Sequence, residues 1–310
     1  MRYTLKQLRY CLAAAQSNSV TRAAEQMNVS QPSISAAISH LEDTFNIQIF
    51  IRHHAQGLSL TPAGRRLIQE ATRFMNQAES LESYAKELGD SVTGNLDVGC
   101  ISTVAAIAMP NLMRTFYFKF PGASINCLDG NQEQLFEGLQ DGRFELAMTY
   151  DLQLDNCYRF EPLVQLPAYA ILPLDHPLAE SEQLSLTELA GHPMVMLDLP
   201  LSREYFRSLF LSVGKEPKIA YRAKSLEMVR SLVGNGFGYS LANVHLHHSM
   251  ARQESYAGVS AVDGTRYRSI PLSDELLPLR FGMIMLKDVQ LTRLADCFAD
   301  YCRGYWKDQH

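Results

Sequence analysis

Val20-Thr21-Arg22-Ala23-Ala24, followed by Val29-Ser30-Gln31-Pro32-Ser33-Ile34-Ser35, is the stretch on which the reading of this chain turns. Ser19 stands where a short helix holding Ala23, Ala24 and Met27 would take its N-cap. Asn28 and Val29 supply a turn. Ser30 then stands at the cap of a third helix, with Pro32 in its first turn, where a missing N–H costs little. Ile34, Ile38 and Leu41 recur at i, i+4 and i+7 and give that helix one apolar face. Two helices joined by a tight turn make a helix-turn-helix unit.

Upstream, Leu5, Leu8, Leu12 and Ala15 predict a first helix over residues 5–17. Downstream, residues 48–50 and 58–60 read as two short strands around a loop at 53–57, the wing of a winged helix. Thr61-Pro62 opens another helix with a cap and a first-turn proline. Its apolar positions are Leu67, Ala71, Phe74, Ala78, Leu81, Ala85 and Leu88, spaced 4-3-4-3-4-3. That heptad seam predicts dimerisation through a linker helix, which residues 89–95 end.

Charge follows the same division. Residues 1–66 carry seven basic and three acidic side chains, a net +4, in a chain of 310 residues whose total is −5. The remaining residues therefore hold −9. A basic head on an acidic body fits phosphate contacts at one end. Six cysteines without CxxC spacing fit reduced thiols and a cytoplasmic setting. Lys6 and Arg9 interrupt any signal-peptide run, and no stretch of about 18 apolar residues predicts a membrane span.

Beyond residue 95, strands and helices alternate. Strands are predicted at 96–101, 124–128, 146–150, 168–172, 194–197, 219–223 and 281–286. Helices are predicted at 105–117, 132–141, 202–212, 225–233 and 291–305. This alternation predicts α/β lobes with parallel sheets.

The segments Leu5–Tyr10 and Val20–Ala24 are similar to the opening of LysR-type transcriptional regulators. Val29–Ser35 resembles the family's recognition helix, and Leu41-Glu42 its end. Ile49-Phe50-Ile51-Arg52 and Leu60-Thr61-Pro62-Ala63-Gly64 resemble the wing and the start of the linker helix. The resemblance implies an α+β chain with three parts. These are a winged helix-turn-helix over residues 1–60, a linker and dimerisation helix over 61–90, and a two-lobed effector domain over 91–310. That domain would be of the type 2 periplasmic-binding-protein kind, with lobe 1 at 91–163 and 270–310 and lobe 2 at 168–263. Crossings are expected near 163–167 and 263–270. The family implies homo-oligomers, usually tetramers, acting on double-stranded promoter DNA with RNA polymerase nearby. It also implies a small-molecule effector held between the lobes, with no cofactor, no metal and no catalytic residue.

On that reading Gln31, Pro32, Ser33 and Ser35 meet base edges. Thr21, Arg22 and Arg52 meet phosphate or the minor groove. Many relatives carry an arginine where this chain has Ala36, and His40 is the residue expected to compensate. Effector candidates follow strand ends and open helices: Ser102, Thr103, Gly130, Asn131 and Gln132 in lobe 1, Asp198, Ser202 and Ser225 in lobe 2. Hydroxyls and helix N-termini favour a carboxylate. Asp129, Glu133, Asp198 and Glu204, with Tyr150 and Tyr205, would suit an amine or amino acid instead.

Other signals carry less. His245 and His248 have i, i+3 spacing, with His247 between them, but a solvated helix face explains them as well as a metal does. Cys100 and Cys127 fall on strands expected to be neighbours and read as packing residues. Gly234-Asn235-Gly236-Phe237-Gly238 follows a helix and reads as its C-terminal turn. Relatives often have proline where this chain has Asn243. A solute-binding protein would share the body but not the first 90 residues. No GxSxG, HExxH or Walker sequence points to an enzyme.

Overall fold

A computed structural model describes residues 2–53, 57–86, 92–244 and 256–307. The head contains α1 (Leu5–Ser17), α2 (Val20–Gln26), α3 (Gln31–Phe45), β1 (Phe50–His53) and β2 (Gly57–Leu60). Thr4 and Gln7 form a capping box on α1, and the Ser19 side chain accepts the Arg22 N–H on α2. An asparagine with φ near +50° follows each helix: Asn18, Asn28 and Asn46. Asparagine tolerates this left-handed turn better than other residues with a Cβ, so the three helices end cleanly and fold onto one another.

Two local expectations are corrected. Ser30 occupies the cap position of α3, but its side chain makes no cap bond; its Oγ lies 2.9 Å from Ser33 Oγ. The first wing strand begins at Phe50, not at residue 48. The Glu42 carboxylate accepts the N–H groups of Ile49 (2.7 Å) and Phe50 (3.1 Å), and Thr61 Oγ1 donates to the Gln48 carbonyl (2.6 Å). Those bonds tie residues 48 and 49 to helix ends instead of to a ladder.

The linker helix is α4 (Pro62–Lys86). Thr61 Oγ1 accepts the Gly64 N–H at 2.8 Å and caps it. Ala71 and Met75 are buried in the core of the head, with Leu67 packed beside them. Leu88 lies outside the described residues.

The body runs β3 (Gly94–Ile101), α5 (Ser102–Lys119), β4 (Ala123–Gly130), α6 (Gln132–Gln140), β5 (Leu146–Tyr150) and β6 (Tyr158–Leu166) in lobe 1. Lobe 2 follows with β7 (Tyr169–Pro173), α7 (Leu186–Leu189), β8 (Pro193–Leu197), α8 (Pro200–Ser212) and β9 (Lys218–Ala223). It continues through α9 (Leu226–Gly234), β10 (Ser240–Ala242), β11 (Tyr256–Ser260) and β12 (Arg266–Pro271). The chain then returns to lobe 1 with β13 (Leu279–Leu286) and α10 (Arg293–Lys307).

The sheets are mixed, not wholly parallel. Lobe 1 has the order β4-β3-β5-β13-β6, with β3 parallel to both β4 and β5 and β13 antiparallel to both β5 and β6. Lobe 2 has an antiparallel sheet β10-β7-β12-β11 and a parallel pair β8-β9. The antiparallel neighbours arise because β6 leaves lobe 1 and β13 re-enters it in the opposite sense. The first crossing lies between Leu166 and Tyr169. The second follows Pro271 instead of falling at 263–270, because β12 pairs with β7 and so belongs to lobe 2. Each lobe has its own core, with Phe116, Phe281, Phe298 and Trp306 in one and Phe210, Tyr239 and Tyr267 in the other. A buried side chain of this size contributes about 1.5–3 kcal/mol. Each lobe thus holds its own shape.

Candidate DNA interface and effector cleft

In the head, α3 packs through Ile34, Ala37, Ile38 and Leu41, which are buried. That burial turns Gln31, Pro32 and Ser33 outward at the N-terminal end, all exposed, with Ser35 half-buried beside them. Thr21 and Arg22 are exposed in the first turn of α2, and Arg52 is exposed on β1. His40 is not brought to this face's reading end. It sits nine positions beyond Gln31, about 13 Å along the axis, and its Nε2 lies 2.8 Å from the Arg2 carbonyl oxygen. The expected compensation for Ala36 therefore has no support from the geometry.

Between the lobes lies a cavity of ≈ 10 Å³, close to the minimum for one water. Thr103 and Tyr150 face it from lobe 1, and Ser202, Tyr205, Phe206 and Asn243 from lobe 2. The Thr103 and Tyr150 hydroxyls are hydrogen-bonded at 2.6 Å. Burial pushes the Tyr150 phenol well above its ordinary pKa. The Tyr205 hydroxyl is buried with no hydrogen-bond partner among the described residues. Burial, and then the nearby Asp151, pushes its pKa up to about 12, so it stays a donor. Its ring packs against the cores of both lobes.

The backbone adds to these hydroxyls. Helices α5 and α8 begin at this cavity, and neither has a side-chain cap; Ile101 and Leu199 hold the cap positions. The early N–H groups of both helices carry no side-chain cap, apart from Pro200 at the start of α8, which has no N–H to offer, and the positive end of each helix dipole lies behind them. By contrast Asn131 caps α6 and Ser225 caps α9, accepting the N–H groups of Gln134 and Met228. Those two residues serve their own helices. Gly130 is buried at the end of β4. Gln132 is only 4% exposed; its Nε2 donates to the carbonyls of Tyr150 (3.2 Å) and Leu152 (2.7 Å), while its Oε1 has no partner among the described residues. Ser102 is exposed and donates to Asp129 at 3.0 Å.

The nearby carboxylates are engaged. Asp198 accepts from Arg203 (2.8 Å) and Arg222 (3.3 Å), which hold its pKa below the usual carboxylate range. Asp151 is paired with Arg280, and Glu204 with Arg203. No acidic side chain is among the described residues lining the cavity. Asn243 is 8% exposed in the cavity wall and was noted in the sequence only as a departure from a frequent proline.

Along α4, Phe74 is 36% exposed and Ala78 half-buried. Leu81 and Ala85 lie farther along the same helix. Cys100 and Cys127 do lie on paired strands, with Cys100 buried. Their hydrogen bond lowers the Cys127 pKa, whereas burial raises that of Cys100. Asn235 is the C-cap of α9, with Gly236 at φ 82° in the turn. His245, His247 and His248 fall outside the described residues. Among the described residues there is no group of three or more metal-ligating side chains, and no helix long and apolar enough to cross a membrane.

Comparison with known proteins gives two family matches. Residues 5–65 match the bacterial regulatory helix-turn-helix of the lysR family, and residues 89–307 match the LysR substrate binding domain. The HTH-type transcriptional regulator CysB of Burkholderia cenocepacia is 30% identical over 76% of this chain and 77% of its own length. The crystal structure of HinK, a LysR family transcriptional regulator from Pseudomonas aeruginosa, is 37% identical with a TM-score of 0.64, covering 98% of both chains. A full-length OxyR variant from Pseudomonas aeruginosa, 23% identical over 97% of both chains, shares the fold at a TM-score of 0.72. The chain belongs to the LysR family of DNA-binding transcription regulators with an effector-binding domain.

Proposed function

We propose that this regulator is gated by a small carboxylate bound between its lobes. The observation that carries the proposal is the meeting of two uncapped helix N-termini, α5 from one lobe and α8 from the other, at a cavity edged by neutral hydroxyls. Backbone N–H groups and helix dipoles favour an anion there. Thr103, Ser202 and Tyr205 supply further hydrogen bonds, with Ser102 and Gln132 close behind. An amine would find its candidate partner Asp198 already held by two arginines.

The cavity is too small for such a ligand as it stands, so entry requires the lobes to part. A carboxylate that binds the parted form shifts the balance of lobe angles. In the head, Gln31, Ser33 and Ser35 read bases, Pro32 touches a thymine methyl, and Thr21, Arg22 and Arg52 hold phosphates. Two dimers assemble as a tetramer on adjacent promoter segments and act on RNA polymerase there. Six free cysteines suit the reducing cytoplasm where that DNA lies.

A thermal-shift screen of the full chain tests the ligand class, with carboxylates, amino acids and amines at neutral pH and fixed salt. A ligand that binds only the folded protein adds about 2.7 kcal/mol of stability at 100 times its Kd. A carboxylate is expected to raise the Tm, and Tyr205→Phe to weaken its binding by about tenfold through one lost hydrogen bond. Stabilisation by an amine and by no carboxylate would overturn the proposal.

A further inference from the structure

Helix α6 touches both ends of the regulatory problem. At its N-terminal end, Gln132 holds the carbonyls of Tyr150 and Leu152, the last residue of β5 and the chain just beyond it. Tyr150 carries its ring and hydroxyl into the cavity between the lobes. Any shift of that strand end is therefore passed directly to the first turn of α6. The helix spans nine residues, about 13 Å. It packs closely against the loop that follows it, where Gly138 lies so near Phe144 that an added Cβ would sit 2.2 Å from the ring. Phe136 also stacks on Tyr158, with ring centroids 4.9 Å apart.

The other end of α6 is gripped by the linker helix. Gln69 Nε2 donates to Asp141 Oδ1 at 2.8 Å, Arg73 Nη2 to the Gln140 carbonyl at 3.2 Å, and Asn76 Nδ2 to the Gly142 carbonyl at 3.0 Å. Positions 69, 73 and 76 share one face of α4. The acceptors are the last carbonyl of α6, its cap carboxylate and the carbonyl of the residue after the cap, all at the negative end of the helix dipole. Gly142 has φ +68°, and a Cβ there would sit 3.3 Å from Thr72 Cγ2. The turn thus needs glycine for both its conformation and its close approach to α4. Beside this grip is a hollow of ≈ 750 Å³ between the head and lobe 1, lined by Leu8, Phe45 and Phe74 on one side and Leu139 and Phe144 on the other. An open gap beside three polar bonds is a contact that can pivot; a close-packed interface could not.

We propose that α6 is a coupling strut, carrying movement at the cleft to the linker helix through the Gln69–Arg73–Asn76 clasp. The proposal rests on the cleft being the effector site, and names how that site reaches the DNA-binding head. It requires that a change at the cleft end of α6 alter DNA binding only while the clasp is intact.

The test is a double-mutant cycle in the full-length protein. The DNA is a duplex selected from a random pool by the unaltered protein, with affinity read by fluorescence anisotropy at fixed salt. Gln132→Met perturbs the cleft end, and the triple change Gln69→Ala, Arg73→Ala and Asn76→Ala opens the clasp. Gln132→Met is expected to change DNA affinity by about threefold or more with the clasp intact, and by less than about 1.5-fold once it is open. If Gln132→Met does not fold, Asn131→Ala replaces it, loosening the same end through the exposed capping box. The same fold-change in both backgrounds, or no change in either, would overturn the strut. The effector reading is checked separately by the carboxylate thermal-shift panel, in which the clasp variant should match the unaltered protein. A panel with no carboxylate hit counts against the cleft assignment, while the coupling measured in the cycle still decides for or against the strut.

Discussion

Gln31 is the first residue of α3 and its side chain is exposed. A side-chain amide can pair with adenine through a donor and an acceptor at once, discriminating by about 1–3 kcal/mol. Gln31→Ala is therefore expected to lower affinity for a selected duplex by about tenfold. Binding to random-sequence DNA should change far less, because on the proposed reading the phosphate contacts belong to Arg22 and Arg52 and not to Gln31. A competition assay at fixed salt checks this, and equal loss on both duplexes would remove Gln31 from base reading. Single residues differ in how readable they are. Thr103's place at the cavity was legible because it opens a helix right after a strand. Asn243 was not, since its burial depends on β10 pairing with β7, some 70 residues earlier. His40's spacing along α3 is visible in sequence, while its contact with the Arg2 carbonyl is not.

At the scale of elements, the junction of wing and linker helix shows why the run Leu60–Gly64 reads so clearly. Gly64 lies in the first turn of α4, and a Cβ there would stand 2.1 Å from the Ile49 carbonyl oxygen. Backbone cannot step aside as a flexible side chain can. Gly64→Ala should force α4 away from the wing and destabilise the protein by about 1–3 kcal/mol. Thermal unfolding followed by circular dichroism measures it; an unchanged midpoint would show that α4 swings freely there. Helices and their caps were legible for similarly local reasons, as at Ser19 and Thr61. Strand β6 was not, because Pro162 interrupts its pattern. The strand tolerates that proline at the edge of its sheet, where a missing N–H breaks no inner ladder. Strands β10, β11 and β12 escaped because short antiparallel partners are defined by whom they meet, not by their own sequence.

For the whole molecule, the heptad seam has two halves with different duties. Ala71 is buried in the head of its own chain, with Leu67 packed beside it, which fixes the angle at which α4 leaves that head. Phe74 is exposed and Ala78 half-buried, so if the seam joins two copies, the surface open to the second one begins about there. A seam that first sets the head's angle and then joins two copies would fix the spacing of two recognition helices on DNA. Phe74→Asp with Ala78→Asp should then yield a folded monomer by sedimentation. Each head alone loses the effective concentration that its twin supplies, so affinity for a two-half-site duplex should fall by about 10²–10⁴. Affinity for a single half-site should hardly change, because the reading residues on α3 are untouched. A variant that stays dimeric at micromolar concentration would place the contact between copies elsewhere than on this stretch of α4. A monomer that kept full affinity for the double site would show that the two heads bind independently, and the lobes could not then control DNA through their spacing.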